Sequence, residues 1–280
     1  MRVIKASKIR ETVAQLCVKA NLVLRNDILK QIKDAYLEEG NEKAKAVLAA
    51  IMKNAQVARL EKIALCQDTG LPCVFVEIGR GVQIDGDIKR AINAGIESGY
   101  KKGYLRNSVI TDPLERIEAA YSPAVIHFDF VSGAKLKLTV FPKGFGCENK
   151  TKLKMFLPTA AISQIKEFII ETVKSAGPDA CPPYVVGVGI GGTADYACFL
   201  AKKALLKKRT TQNAQRTTKL YKLERELLEE INKLNIGPMG LGGKATALAV
   251  NIETYPTHIA GFPVAVNISC HALRSASAAI

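Results

Sequence analysis

Apolar residues recur at helical spacing through the first quarter of the chain. Ile9, Val13, Leu16, Cys17 and Ala20 fall on one helical face, and the rhythm continues across short polar breaks at Asn26, Asp27 and Gly40. That periodicity predicts three amphipathic helices, near 5–24, 27–38 and 41–64. The pattern then changes. CQDTGLP at 66–72 is turn-rich, CVFVEIG at 73–79 reads as a strand, and a helix is predicted near 85–100 before the Gly/Lys-rich KKGYLRNS.

Residues 123–131 (PAVIHFDFV) and 135–142 (KLKLTVFP) alternate on either side of SGA, a pattern that predicts a β-hairpin. The loop KGFGCENKT leads into a helix near 159–175. ACPPYVVGVGIGG at 180–192 reads as a turn, a buried strand and a glycine turn, with helices near 193–207 and 217–234 to follow. Late strands are expected at 245–253 and 262–269, the second ending in SCHALR. No composition break marks a linker. The expectation is therefore one α/β domain over 1–280, single or bilobed, with a helical part about 1–65 packed with a mixed α/β part about 66–280.

Composition adds constraints. Hydrophobic residues at 48% and charged residues at 24% are the balance of a globular protein. No stretch of about 18 consecutive apolar residues occurs and the N-terminus lacks a signal-peptide core, so a cytoplasmic protein without a membrane partner is expected. The net charge of +14 raises nucleic-acid binding as an option, with basic clusters at Lys202–Arg209 and Arg216–Lys222. Only Tyr221 interleaves an aromatic ring there, and acidic residues return at Glu224–Glu230. A solvated helix face fits better, and a positive field suits an anionic substrate.

Seven cysteines, an odd number, argue against a disulfide framework. Cys66, Cys181 and Cys270 each stand where a loop meets an element end, in LCQDTG, ACPPY and SCHALR, with His271 and Arg274 beside the third. Thiolates in such polar junctions can bind metal. Separations of 115 and 89 residues are too wide for a zinc ribbon, so any shared site must be assembled by the fold. On the residues alone, packing and ligation both stay open. Cys17, Cys198 and Cys73 fit the core, while Cys147 in the glycine loop competes for a ligand role. Asp68 beside Cys66 is the acid/base candidate, its other reading being a turn aspartate. Arg106, His127, His258 and His271 are isolated in the sequence. Gly187–Gly192 satisfies G-x-G-x-x-G, yet roughly 20 residues on stand Thr210 and Thr211 rather than an acidic ribose ligand, so close strand–helix packing is preferred to a dinucleotide site.

Taken together, CQDTG at 66–70, PKGFGCENKTKLKMFLP at 142–158, ACPPYVVGVGIGGTADYA at 180–197 and NISCHALR resemble the class I iron–sulfur fumarate hydratases and L(+)-tartrate dehydratases, specifically their alpha subunits. The resemblance runs from about residue 10 to the C-terminus. It implies a [4Fe–4S] cluster held by Cys66, Cys181 and Cys270, with one iron left open as a Lewis acid. It implies that Asp68 is catalytic, that Gln67 contacts substrate, and that Arg106 in LRNSVITDPL grips a substrate carboxylate. Gly144 and Gly146 fall in the loop that approaches substrate, and His258 in THIAGFPVAV matches a pocket histidine. One departure stands out: GFGCEN, with Phe145 and Cys147, replaces a GGGSEN-like loop. The implied reaction is reversible hydration of fumarate to L-malate, with dehydration of L(+)-tartrate the alternative. Arg106 is the one matched carboxylate ligand, with Lys143 and Lys150 nearby, so a beta subunit is expected to supply further cations, in an assembly built on an alpha homodimer or α2β2.

Overall fold

The computed structural model describes residues 1–208 and 219–280. Arg209, Thr210, Thr211 and Arg216 lie outside the described residues, and with them part of both basic clusters and the position where a ribose ligand would fall. Helices and strands mix as the α/β pattern predicts. The chain divides into two compact units, Met1–Arg25 with Asn54–Phe145 and Arg274–Ile280, and Asn26–Lys53 with Gly146–Leu273.

The first unit is built on a four-stranded sheet around β2 (Leu71–Gly79). Its other strands are β6 (Val125–Val131), β7 (Leu136–Lys143) and β12 (Ala276–Ala279), in the order β12–β7–β2–β6. β2 pairs parallel to β6 and antiparallel to β7. The expected hairpin of 123–131 with 135–142 is thus corrected: both strands form, but each bonds to β2 and not to the other. The reason lies in burial. β2 is a nearly continuous apolar run and takes the interior position, whereas β6 is largely exposed and fits an edge. The short connection crosses the end of β2, where Gly79, Arg80 and Gly81 donate to Lys135, Val131 and Gly133 carbonyls, each at 2.9 Å. A Cβ at Gly79 would stand 2.6 Å from the Gly133 oxygen, so the crossing requires glycine there.

Helix α1 (Ala6–Leu22) lies along α4 (Ile88–Lys102). Cβ atoms at Gly95 and Gly99 would come within 2.6 Å of the Arg10 and Ala14 carbonyls, which shows how closely the two backbones approach. The predicted stripe of Ile9, Val13, Leu16, Cys17 and Ala20 is buried with Ile92, Ile96, Val74, Val76, Leu138 and Val140. Short pairs complete the unit: β1 (Arg2–Lys5) with β3 (Val82–Asp85), and β4 (Val109–Ile110) with β5 (Ala119–Ala120).

The second unit carries α2 (Asn26–Glu38) and a second four-stranded sheet. Its strands are β8 (Lys152–Phe156), β9 (Tyr184–Gly192), β10 (Ala247–Thr257) and β11 (Phe262–Ser269), in the order β10–β9–β11–β8. β9 runs parallel to β10 and antiparallel to β11. Around the sheet are α6 (Ile162–Ala176), α7 (Ala194–Ala204) and α8 (Lys219–Lys233). The glycine fingerprint is a packing device. Cβ atoms at Gly187 and Gly189 would fall 2.1 and 2.0 Å from the Ala201 and Ala197 carbonyls, so α7 rests directly on the β9 backbone. Helix α3 (Glu42–Glu61) contributes residues to both units, and a single turn, α5 (Phe145–Glu148), joins them in sequence. Among the described residues no helix is long and apolar enough to cross a membrane.

Candidate functional site

The loop 66–70 connects α3 to β2, and the first unit fixes it from several sides. Leu65 donates its N–H to the Asn21 carbonyl of α1 at 2.9 Å, and Asn54 donates to the Leu65 carbonyl at 2.9 Å. Tyr100 on α4, 1% exposed, directs its hydroxyl at the Thr69 and Gly70 carbonyls, 3.0 and 3.1 Å away. Burial pushes that phenol far above its ordinary range, so it stays a neutral donor. Gly70 has φ +76°, and a Cβ there would meet the Pro142 carbonyl carbon at 2.7 Å.

Into this frame the structure brings Gln67, Asp68, Arg106 and Gly144. Asp68 is half-buried; one carboxylate oxygen accepts from Gly70 N at 2.9 Å and the other from Phe145 N at 3.0 Å. The turn role and a chemical role are therefore compatible, since each oxygen keeps a second lone pair. Arg106 is exposed and donates from Nη1 to Gln67 Oε1 at 2.9 Å. Its backbone N–H is held by buried Thr69 Oγ1 at 3.1 Å. Gly144, half-buried, borders Asp68: a Cβ there would lie 3.1 Å from the carboxylate oxygen and 3.6 Å from Arg274 Nη2. Thr69, Tyr100 and Asn21 escape sequence reading because nothing in their spacing reports a contact made across the fold.

In the second unit, strand pairing brings Cys181 and Cys270 to the same end of the sheet. β9 begins at Tyr184 and its antiparallel neighbour β11 ends at Ser269, with Val185 opposite Ser269. Cys181 precedes the first strand and Cys270 follows the second. His271 faces the Cys181 carbonyl through both its backbone N–H, 3.4 Å, and its Nδ1, 3.1 Å. Cys181 itself has φ +58°, a left-handed conformation uncommon for a residue with a Cβ and often found where a side chain must be aimed.

The remaining cysteines separate by environment. Cys17, Cys73 and Cys147 are buried, and burial drives the Cys17 thiol far up. Cys198 is partly exposed, but it sits within α7 and burial raises its pKa as well. Cys147 directs its Sγ at the Ala180 carbonyl, 3.1 Å away, so it braces the Cys181 loop. Cys66, Cys181 and Cys270 are each partly exposed and in no disulfide. Three loop thiols of this kind fit the donor chemistry of a thiolate-held cluster. Among the described residues, no three His, Cys, Asp or Glu side chains are grouped so that they could hold a metal ion as they stand. His258 occupies the exposed turn between β10 and β11 and accepts at Nδ1 from Ala260 N, 3.2 Å, a turn-stabilising contact. Gly146 is exposed, and a Cβ added there would have no atom within 4 Å.

The loop thus carries a carboxylate fixed by backbone donors and an exposed guanidinium held by Gln67. Comparison with known proteins carries this further: residues 10–279 match the fumarate hydratase (Fumerase) family, and the chain belongs to that family of hydro-lyases. It is similar to the "Putative L(+)-tartrate dehydratase subunit alpha" of Methanocaldococcus jannaschii, 42% identical over 277 residues that cover 96% of each chain. It also resembles the L(+)-tartrate dehydratase subunit alpha of Escherichia coli (strain K12), 28% identical over 276 residues, 96% of this chain and 89% of that one.

Proposed function

We propose that the chain is the alpha subunit of an iron–sulfur hydro-lyase that removes water from, or adds it to, a small dicarboxylate. The observation that carries this reading is the joint placement of Asp68, Gln67, Arg106 and Gly144 around one braced loop. Cys66, Cys181 and Cys270 are the proposed cluster ligands, their chemistry matching and their alternatives buried or held within a helix. When bound, such a cluster supplies an open iron as Lewis acid for the departing hydroxyl.

The chain's own residues have separable roles. Arg106 receives a substrate carboxylate with its remaining donors while Gln67 fixes the guanidinium plane. Asp68 takes or returns the proton, its orientation set by Gly70 and Phe145 so that no side-chain reorganisation accompanies the transfer. Thr69 and Tyr100 hold the loop that carries both groups.

L(+)-tartrate is the first substrate to test, because both relatives carry that name. Fumarate and L-malate form the second reading, favoured by the description of the family. Since both relatives are named as alpha subunits, a beta subunit is the proposed partner. The test is steady-state turnover of L(+)-tartrate, L-malate and fumarate by the reconstituted chain with its beta subunit under anaerobic conditions. Turnover of one of the three is expected; inactivity toward all three in a cluster-loaded complex would defeat the proposal.

A further inference from the structure

Five cationic side chains converge on one groove of the first unit. Arg10 and Lys19 from α1, Arg59 and Lys62 at the C-terminal end of α3, and Lys102 from α4 line a space of about 740 Å³. All five are exposed, and among the described residues none of them is ion-paired. Lysines just outside the groove behave differently: Lys8 pairs with Glu11 at 3.3 Å and Lys101 with Glu97 at 2.6 Å. Glu11 is the one carboxylate residue lining the groove among the described residues, and Lys8 already holds it.

A single exposed lysine is ordinary, because water solvates it. Five cations around one concavity repel one another, and the low-dielectric walls focus their field. Helix dipoles account for part of the arrangement, since Lys19, Arg59 and Lys102 stand in the last turns of α1, α3 and α4. Each helix end offers about half a negative charge, so most of the positive charge is left unmatched. The walls are apolar as well. Ala14 and Leu22 are buried, Val18 and Ala94 are partly so, and Gln15 and Ser98 add neutral hydrogen-bonding groups. A confined space of this size suits a small molecule, whereas nucleic acid is met by an extended basic stripe.

We infer that this groove is a binding site for a small multivalent organic anion, a polyphosphate or a polycarboxylate. Arg10 and Arg59 supply planar forks for bidentate contact, while Lys19, Lys62 and Lys102 supply further charge. The site shares no residue with the 66–70 loop or with Arg106, and it does not rest on the hydro-lyase reading.

The test is equilibrium binding to the full chain, measured calorimetrically at one fixed ionic strength. The probes are magnesium-free ATP, citrate and, as a monovalent control, acetate. At least one of the first two should bind, with acetate far weaker, and the preference between them assigns phosphate or carboxylate. Arg59→Gln combined with Lys62→Gln should weaken that binding about tenfold or more, the scale of losing charge-assisted hydrogen bonds. Val18→Glu, which sets a carboxylate in the groove, should abolish it. Lys5→Gln combined with Lys101→Gln removes the same charge outside the groove and should change binding roughly twofold at most. Arg106→Ala should leave it unchanged. Thermal unfolding identifies the folded variants; where Val18→Glu does not fold, the two double variants at exposed positions decide. Absence of binding by both ATP and citrate, equal weakening by the two double variants, or loss of binding in Arg106→Ala would overturn the inference. A polyglutamate peptide that bound the groove more tightly than either small anion would also overturn it, making the groove a docking surface for an acidic protein segment.

Discussion

Asp68 and Arg106 illustrate how much at the residue scale depends on what stands behind a reactive group. Arg106 is exposed, and an exposed guanidinium alone would be a mobile charge. Thr69 at its backbone and Gln67 at its head turn it into an oriented one. Arg106→Ala is therefore expected to lower kcat/KM about 100-fold or more, about 3 kcal/mol of transition-state binding, in steady-state kinetics of the complex. Tyr100→Phe leaves the Thr69 and Gly70 carbonyls without their buried donor and should cost about 1–2 kcal/mol, read as a shift of the urea midpoint at constant m. The proposed thiolate-held cluster gives a third expectation. Cys66→Ser, Cys181→Ser and Cys270→Ser should each abolish or badly impair iron uptake in anaerobic reconstitution, whereas Cys17→Ser and Cys198→Ser should not. Cys147→Ser removes a brace on Ala180 and should cost stability while iron is retained; damage equal to that of the other three would show the ligand assignment to be wrong.

At the scale of elements, β9 and α7 make the sharpest structural prediction. Gly187→Ala places a methyl 2.1 Å from the Ala201 carbonyl, and relief requires moving α7 off the sheet. A loss of about 3 kcal/mol or more is expected in denaturant unfolding, against about 1 kcal/mol for Ile169→Val in the unit's main hydrophobic core. This region was legible because its signals are local: a continuous apolar strand, glycines, then helical spacing. The long helices α1, α2, α4 and α8 were legible for the same reason. The pairing of β6 and β7 was not, because alternation reports which face of a strand is buried and says nothing about its neighbour. β12 and β1, at four residues each, carry too little pattern to register. For the site, the turn chemistry around Asp68 and the loop positions of three cysteines could be read directly. Asn21, Thr69 and Tyr100 could not, since hydrogen bonds spanning 30 or more residues leave no trace in spacing.

The molecule as a whole carries a net charge of +14 and presents its exposed Arg106 to solvent, a combination that favours encounter with small anions. Part of its basic surface is locally paired among the described residues, as in Lys166 with Glu226 and Lys202 with Glu148, at 2.5 and 2.6 Å. That arrangement matches a solvated, mixed-charge helix face better than a phosphate-tracking stripe. Membership of the fumarate hydratase family and the proposed cluster-dependent reaction meet in one measurement: activity of the proposed alpha–beta complex followed against iron content, first after anaerobic reconstitution, then after air exposure, then after addition of ferrous iron and reductant. About four irons per alpha chain are expected at full activity, with loss of activity in air and recovery on treatment, because an open iron is accessible to oxidants. Full activity in a metal-free, aerobically purified complex would contradict the cluster-dependent reaction.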